Sequence, residues 1–179
     1  MKGIIFTEFL EMVENEFGFV VADKIVTHSK LKSEGVYTAI GTYNHSEMVQ
    51  LLDQLSQEIN TPVNDLLLIY GEHFFKVLAD SYPIFFQDIP DAFSFLSGVE
   101  NHIHVEVLKL YPDAELPSFE ITRLDDRTLQ MIYRSERKMA SFARGLINSS
   151  VKYFKENISI HYEDLSKDGR LVKFTLVKP

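Results

Sequence analysis

The sequence predicts an α+β fold, with an N-terminal helical part followed by a four-stranded antiparallel sheet with packed helices. Three observations predict it. Apolar residues recur at helical spacing through about the first 110 residues. Four later stretches alternate with a period of two and pair into two hairpins. One helical stretch separates those hairpins.

The elements follow in order. Phe6, Phe9, Leu10, Val13 and Phe17 share a helical face, and Gly18 offers a stop. A second helix is expected over about 20–31. A third runs near 46–59, with Met48, Leu51, Leu52, Leu55 and Ile59 as its apolar stripe. A fourth covers roughly 63–80 and contains Gly71. A glycine inside a helix costs about 1 kcal/mol relative to alanine, so Gly71 marks close approach by another backbone or a ligand. A fifth helix is expected over about 91–110, ending before Pro112. "SFEITRL" and "TLQMIYRS" read as strands joined near Asp125–Asp126. "RKMASFARGLINSSVKYFKE" is a helix. "NISIHYEDLS" and "GRLVKFTLVKP" form a second hairpin, turning at Lys167–Asp168–Gly169.

At 179 residues the chain suits one domain with a sizeable core. Hydrophobic residues make up 45% and charged residues 25%, the balance of a soluble globular protein. The net charge of -8 argues against nucleic acid or an anionic membrane as the main partner. With no cysteine, disulfides, thiolate-bound zinc and iron–sulfur clusters are excluded. The N-terminal stretch turns acidic by Glu8, unlike a signal peptide, and no apolar run approaches a membrane span of ~18 residues. A cytoplasmic location is expected. The 14 phenylalanines imply aromatic surface that is buried or lines something.

Two motifs carry chemistry. In "YRSERK", Tyr133, Ser135 and Arg137 alternate, so an extended segment would project all three donors from one face. Such a face suits a carboxylate or phosphate, although by spacing alone it is more often a half-exposed, solvated strand. In "NHIHVEV", His102 and His104 are about 200° apart on a helix and cannot easily share a metal. His102 falls with Glu106 and Lys109 on the solvated side. His104 falls with Val107, Leu108 and Tyr111, with Glu100 one turn before. His104 is then either a satisfied semi-buried residue or a single axial ligand to something large and flat. No HExxH, GxSxG or glycine-rich phosphate loop occurs.

Together these residues resemble the heme–nitric oxide/oxygen-binding (H-NOX) domains, bacterial relatives of the sensory domain of soluble guanylate cyclase. The resemblance runs from "MKGII" through "YGEHFFKVL" and "HIHVEVLKLYPDAELPSFE" to "YRSERKMASFARGLINSSVKYFKENISI". Y-x-S-x-R is its most specific element. The resemblance implies a single domain over 1–179, with a helical distal part over about 1–85, a proximal part with the sheet over about 86–179, and heme b between them. It implies His104 as the axial ligand to the iron and Tyr133, Ser135 and Arg137 on the propionates. It further implies Pro117 as the heme-distorting proline and Ile5 and Leu146 packed on the porphyrin.

The sequence departs from oxygen-binding members at one informative place. Phe142 stands where they carry a distal tyrosine, and Phe9 and Phe74 stand where that tyrosine's supporting residues align. A cysteine-dependent zinc site found in some relatives is absent. The resemblance therefore implies a sensor, not an enzyme, that binds nitric oxide and carbon monoxide but not oxygen. It would signal by conformational change to a separate histidine kinase or cyclic-di-GMP enzyme. The rival readings are a heme-free module for an amphiphilic carboxylate that meets Arg137, and a heme-dependent peroxidase.

Overall fold

Gly3 opens the first helix because nothing larger fits there: a Cβ would lie 1.8 Å from the Thr38 carbonyl oxygen. The structure, a computed structural model, describes residues 1–179. It forms two compact units, 1–70 and 71–179. No helix is long and apolar enough to cross a membrane.

The first unit holds α1 (Ile4–Phe17), α2 (Phe19–His28), α3 (His45–Ile59) and the start of α4 (Val63–Ser81). Gly18 joins α1 to α2 at φ 87°, a left-handed conformation that favours glycine. The second helix ends at His28, short of the expected residue 31, and the Ser29 hydroxyl caps it by donating to the Ile25 carbonyl at 2.6 Å. Asn44 caps α3 through the Ser46 amide at 2.9 Å. Of the expected stripe, Met48, Leu51, Leu52 and Leu55 are buried, with Phe6, Phe9, Met12, Val13 and Ile25, whereas Ile59 at the helix end is only half-buried. The connection before α3 is anchored twice. Tyr37 stacks on Phe6 at 4.4 Å between centroids, and its hydroxyl donates to the buried Glu47 carboxylate at 2.8 Å. Ser33 donates to the same carboxylate. Burial, ahead of the carboxylate's own repulsion, pushes the Tyr37 hydroxyl well above its ordinary pKa.

In the second unit the rest of α4 leads through a 3₁₀ turn (Pro83–Phe86) to α5 (Ala92–Ser97). After α6 (His104–Leu110) come β1 (Ser118–Arg123), β2 (Thr128–Arg134), α7 (Ala140–Tyr153), β3 (Ser159–Asp164) and β4 (Leu171–Val177). Both expected hairpins form, and the sheet order is β1-β2-β4-β3, antiparallel throughout. The central strands bury alternate residues: Leu129, Met131 and Tyr133 on β2, and Val172, Phe174 and Leu176 on β4. Against this face pack Phe93, Phe95 and Leu96 of α5 and Ala143, Ile147 and Val151 of α7. The helix after β2 is shorter than the sequence pattern suggested. Lys138 at φ 57° breaks it before Ala140, and Lys155 at φ 56° follows its end.

The fifth helix departs most from expectation. In place of one helix over 91–110, α5 stops at Ser97, a π-helical turn occupies Val99–Ile103, and α6 begins at His104. The wide turn is closed by the Ile103 amide on the Gly98 carbonyl at 3.1 Å and by the His104 amide on the Val99 carbonyl.

The start of α5 is tied to the end of the chain. Asp91 caps it through the Ser94 amide at 2.7 Å, and Glu156 accepts the Ala92 amide at 2.6 Å. Lys178 pairs with Glu156 at 2.8 Å and sits 4.5 Å from the centre of the Phe93 ring. Phe93 is fully buried. Truncating it empties this joint, so Phe93→Ala should cost about 3–5 kcal/mol. Urea unfolding followed by circular dichroism measures the loss, and a cost below about 1 kcal/mol would contradict the packing described.

Candidate functional site

His104 owes its position to the wide turn that precedes it. The two histidines separate as their helix faces require: His102 is exposed, whereas the His104 side chain is 15% exposed. Leu108, expected on the less polar side with His104, is itself 41% exposed, because α6 turns that flank outward. Nδ1 of His104 lies 3.4 Å from Oε1 of Glu100. The same oxygen accepts the backbone amide of Phe119, at the start of β1. One carboxylate thus holds the helix and the sheet at this point. Burial pulls the His104 pKa below its usual value, with Glu100 opposing.

Aromatic rings continue from His104 into the sheet. The Phe119 ring lies 6.1 Å from His104 and 5.6 Å from Tyr133, between centroids. Tyr133 projects from the buried face of β2 and is 2% exposed. Its hydroxyl oxygen accepts the Met139 amide at 3.1 Å. Burial raises its pKa, while Ser135, the Met139 amide and Arg137 pull the other way.

Ser135 and Arg137 do not continue the strand, contrary to the alternation read from the sequence. β2 ends at Arg134, and the chain turns through Glu136 and Arg137. The turn still gathers the three donors. The Ser135 hydroxyl oxygen accepts the Arg137 amide at 3.2 Å, and the Arg137 fork donates to the carbonyl and the carboxylate of Glu115. Two residues after Glu115, Pro117 leads directly into β1, half-buried.

Elsewhere in this unit, α4 and α7 come into backbone contact at Gly71. A Cβ there would sit 2.1 Å from the Phe142 carbonyl oxygen and 3.0 Å from the Gly145 Cα. The mid-helix glycine therefore does mark close approach by another backbone. The crossing brings Phe74 and Phe142 together, with ring centroids 5.7 Å apart. Leu146 follows on α7, half-buried. Across the base of the pair, Lys152 and Asn148 donate to the Glu72 carboxylate.

Ile5 and Phe9 belong to the first unit, on α1. Phe9 is fully buried, edge-on to Tyr70 at 5.3 Å. The Tyr70 hydroxyl donates to the Ile5 carbonyl at 2.6 Å. Its buried ring pushes the hydroxyl well above its ordinary pKa.

Three residues of this arrangement carry no role in the sequence reading: Phe119, Glu115 and, beyond its spacing, Glu100. Only Glu100 left a signal, four residues before His104. An open hollow of about 420 Å³ at the β1–β2 turn, lined by Asp125, Asp126, Arg127, Thr128 and Val177, includes none of the site residues.

The Haem-NO-binding family model matches residues 2–162. The chain belongs to that family. Its domain is accordingly a heme-binding gas-sensor domain of the H-NOX type. The chain is similar over its full length to the unliganded Fe(II) H-NOX protein of K. algicida, at 51% identity, 97% coverage of that chain and a TM-score of 0.96. It matches the Fe(II)CO H-NOX of Shewanella woodyi, bound to IWP-051, at 38% identity, covering all of this chain and 95% of that one with a TM-score of 0.84. It also matches the Fe(II)NO H-NOX protein of S. oneidensis at 26% identity, covering all of this chain and 99% of that one with a TM-score of 0.91. No curated protein matches the chain.

Proposed function

We propose that this domain senses nitric oxide through heme b (iron protoporphyrin IX), with His104 as the axial ligand, and that it discriminates against oxygen. When bound, the heme would supply a ferrous iron able to take up a diatomic gas. The residues fit such a group. His104 has one ring nitrogen facing a carboxylate, which leaves the other for a metal. The Arg137 fork already grips a carboxylate, that of Glu115, and carboxylate is the chemical class of a propionate. Tyr133 and Ser135 stand beside it with hydroxyls. Pro117, Ile5 and Leu146 supply apolar surface, and this reading gives them the porphyrin.

The contact between Phe74 and Phe142 carries the selectivity. Oxygen draws more charge on binding than nitric oxide or carbon monoxide, so it depends more on a hydrogen-bond donor. A charge-assisted bond of ~1.5–3 kcal/mol is worth roughly ten- to a hundredfold in affinity. Phenylalanine at 9, 74 and 142 donates nothing. The Tyr70 hydroxyl gives its proton to the Ile5 carbonyl.

The output in this reading is conformational and intermolecular, in the cytoplasm, to a separate histidine kinase or cyclic-di-GMP enzyme. The domain itself is a sensor and not a catalyst. His104 begins α6, and through Glu100 it shares an anchor with β1, so a change at the ligand reaches both elements.

Exposing the reduced protein to air tests the selectivity. Its visible spectrum should show no persisting oxygen complex, while nitric oxide and carbon monoxide each shift the Soret band. Phe142→Tyr should move the protein toward oxygen binding. A stable oxy spectrum from the wild type would overturn the reading.

Replacing the histidines singly tests the ligand. His104→Ala should lose axial ligation, recoverable with added imidazole, and His102→Ala should keep it. The reverse result in ferrous spectra would assign the wrong helix face.

Replacing the propionate donors tests the clamp. Arg137→Ala should release heme to an apo-globin acceptor faster than Ser135→Ala, because a charged donor contributes about 1.5–3 kcal/mol and a neutral one about 0.5–1.5 kcal/mol. Equal rates would count against that ranking.

A further inference from the structure

We propose that Glu100 is the positioning residue of the His104 ligand: its carboxylate selects the ring tautomer that frees Nε2, and couples the ligand to β1. The proposal rests on the heme reading for its purpose, but the geometry that carries it belongs to the protein alone. Oε1 of Glu100 lies 3.4 Å from Nδ1 of His104 and also accepts the Phe119 amide. An ionised carboxylate only accepts hydrogen bonds. With the carboxylate beside it, Nδ1 therefore carries the proton, and the ring lone pair falls on Nε2.

Four features make this a built arrangement. The two side chains are four residues apart, on the same side of the helical path. The wide turn of Val99–Ile103 interrupts the helix between α5 and α6 immediately before the ligand, with Glu100 inside it. The anchoring amide belongs to Phe119, whose ring stands between His104 and Tyr133. The carboxylate is also only partly exposed, at 30%, which limits its competition from water.

A carboxylate on the far nitrogen makes an imidazole a stronger donor to metal. A merely structural Glu100 would hold the Phe119 amide and leave the iron–histidine bond unchanged. The near-isosteric Glu100→Gln keeps an oxygen able to accept that amide but removes the negative charge. Glu100→Ala removes both.

Three measurements decide the matter. In the heme-loaded ferrous protein, resonance Raman spectra should show the iron–histidine stretch at lower frequency in Glu100→Gln than in wild type. Glu100→Ala should also release heme to an apo-globin acceptor roughly tenfold faster, the scale typical for losing a ligand's outer partner. In the heme-free wild type, nitrogen-15 spectra of the His104 ring should report the Nδ1–H tautomer, and Glu100→Gln should weaken that preference. An unchanged stretch in Glu100→Gln with heme bound would overturn the proposal. So would an Nε2–H tautomer in the heme-free wild type, a readout that holds even if a variant fails to fold. Failure of the wild type to take up heme at all would overturn the sensor reading instead, and the tautomer measurement would still judge Glu100.

Discussion

Burial of one face of the sheet is the constraint on which the second unit depends. Leu129, Met131 and Tyr133 on β2, and Val172, Phe174 and Leu176 on β4, all point into the core. A slip of one residue in the β2–β4 register would turn every one of them to the opposite face. The register is therefore held by hydrophobic area, and it aims Tyr133 inward. Because β2 stops at Arg134, Ser135 and Arg137 leave the alternation and enter a turn, each half-buried. The donors of Y-x-S-x-R are thus divided between a rigid strand and the turn it feeds. That division gives one buried hydroxyl beside a more accessible guanidinium.

The polar contacts near His104 depend on a second constraint, the interruption of the helix at Gly98. A regular helix from 91 to 110 would have kept every amide bonded to the carbonyl four residues back. The π-helical turn widens that spacing and carries Glu100, whose carboxylate reaches the Phe119 amide. Such turns are rare and concentrate at functional sites. Here the turn joins two elements that the chain separates by a loop containing Glu115 and Pro117. The same loop supplies the carboxylate on Arg137, so both ends of the site are closed by acidic side chains from nearby sequence.

Packing between α4 and α7 follows a third rule, which is the absence of a side chain. Without a Cβ at Gly71 the Phe142 carbonyl can approach α4, and the helices cross closely enough for Phe74 and Phe142 to touch. The helix-propensity cost of glycine, about 1 kcal/mol, is offset by the packing this crossing permits. The phenylalanine surplus is accounted for by rings of this kind: Phe75, Phe86 and Phe95 form a further cluster with Tyr153.

The sequence by itself determined the fold class, five of its six helical stretches to within a few residues at most ends, both hairpins, and the difference between His102 and His104. Those features follow from local periodicity, since hydrophobic spacing depends only on neighbours a few residues away. The family was legible too, because its motifs lie in continuous runs. Only the tertiary structure decided the strand order β1-β2-β4-β3, the break at Gly98, and the end of β2 before Ser135. It alone brought Glu115 to Arg137 and Phe119 to Glu100, partners 22 and 19 residues apart in the chain. The reason is physical: a helix interruption or a strand end is set by which distant groups compete for the backbone's hydrogen bonds, and that competition has no period to read along the sequence.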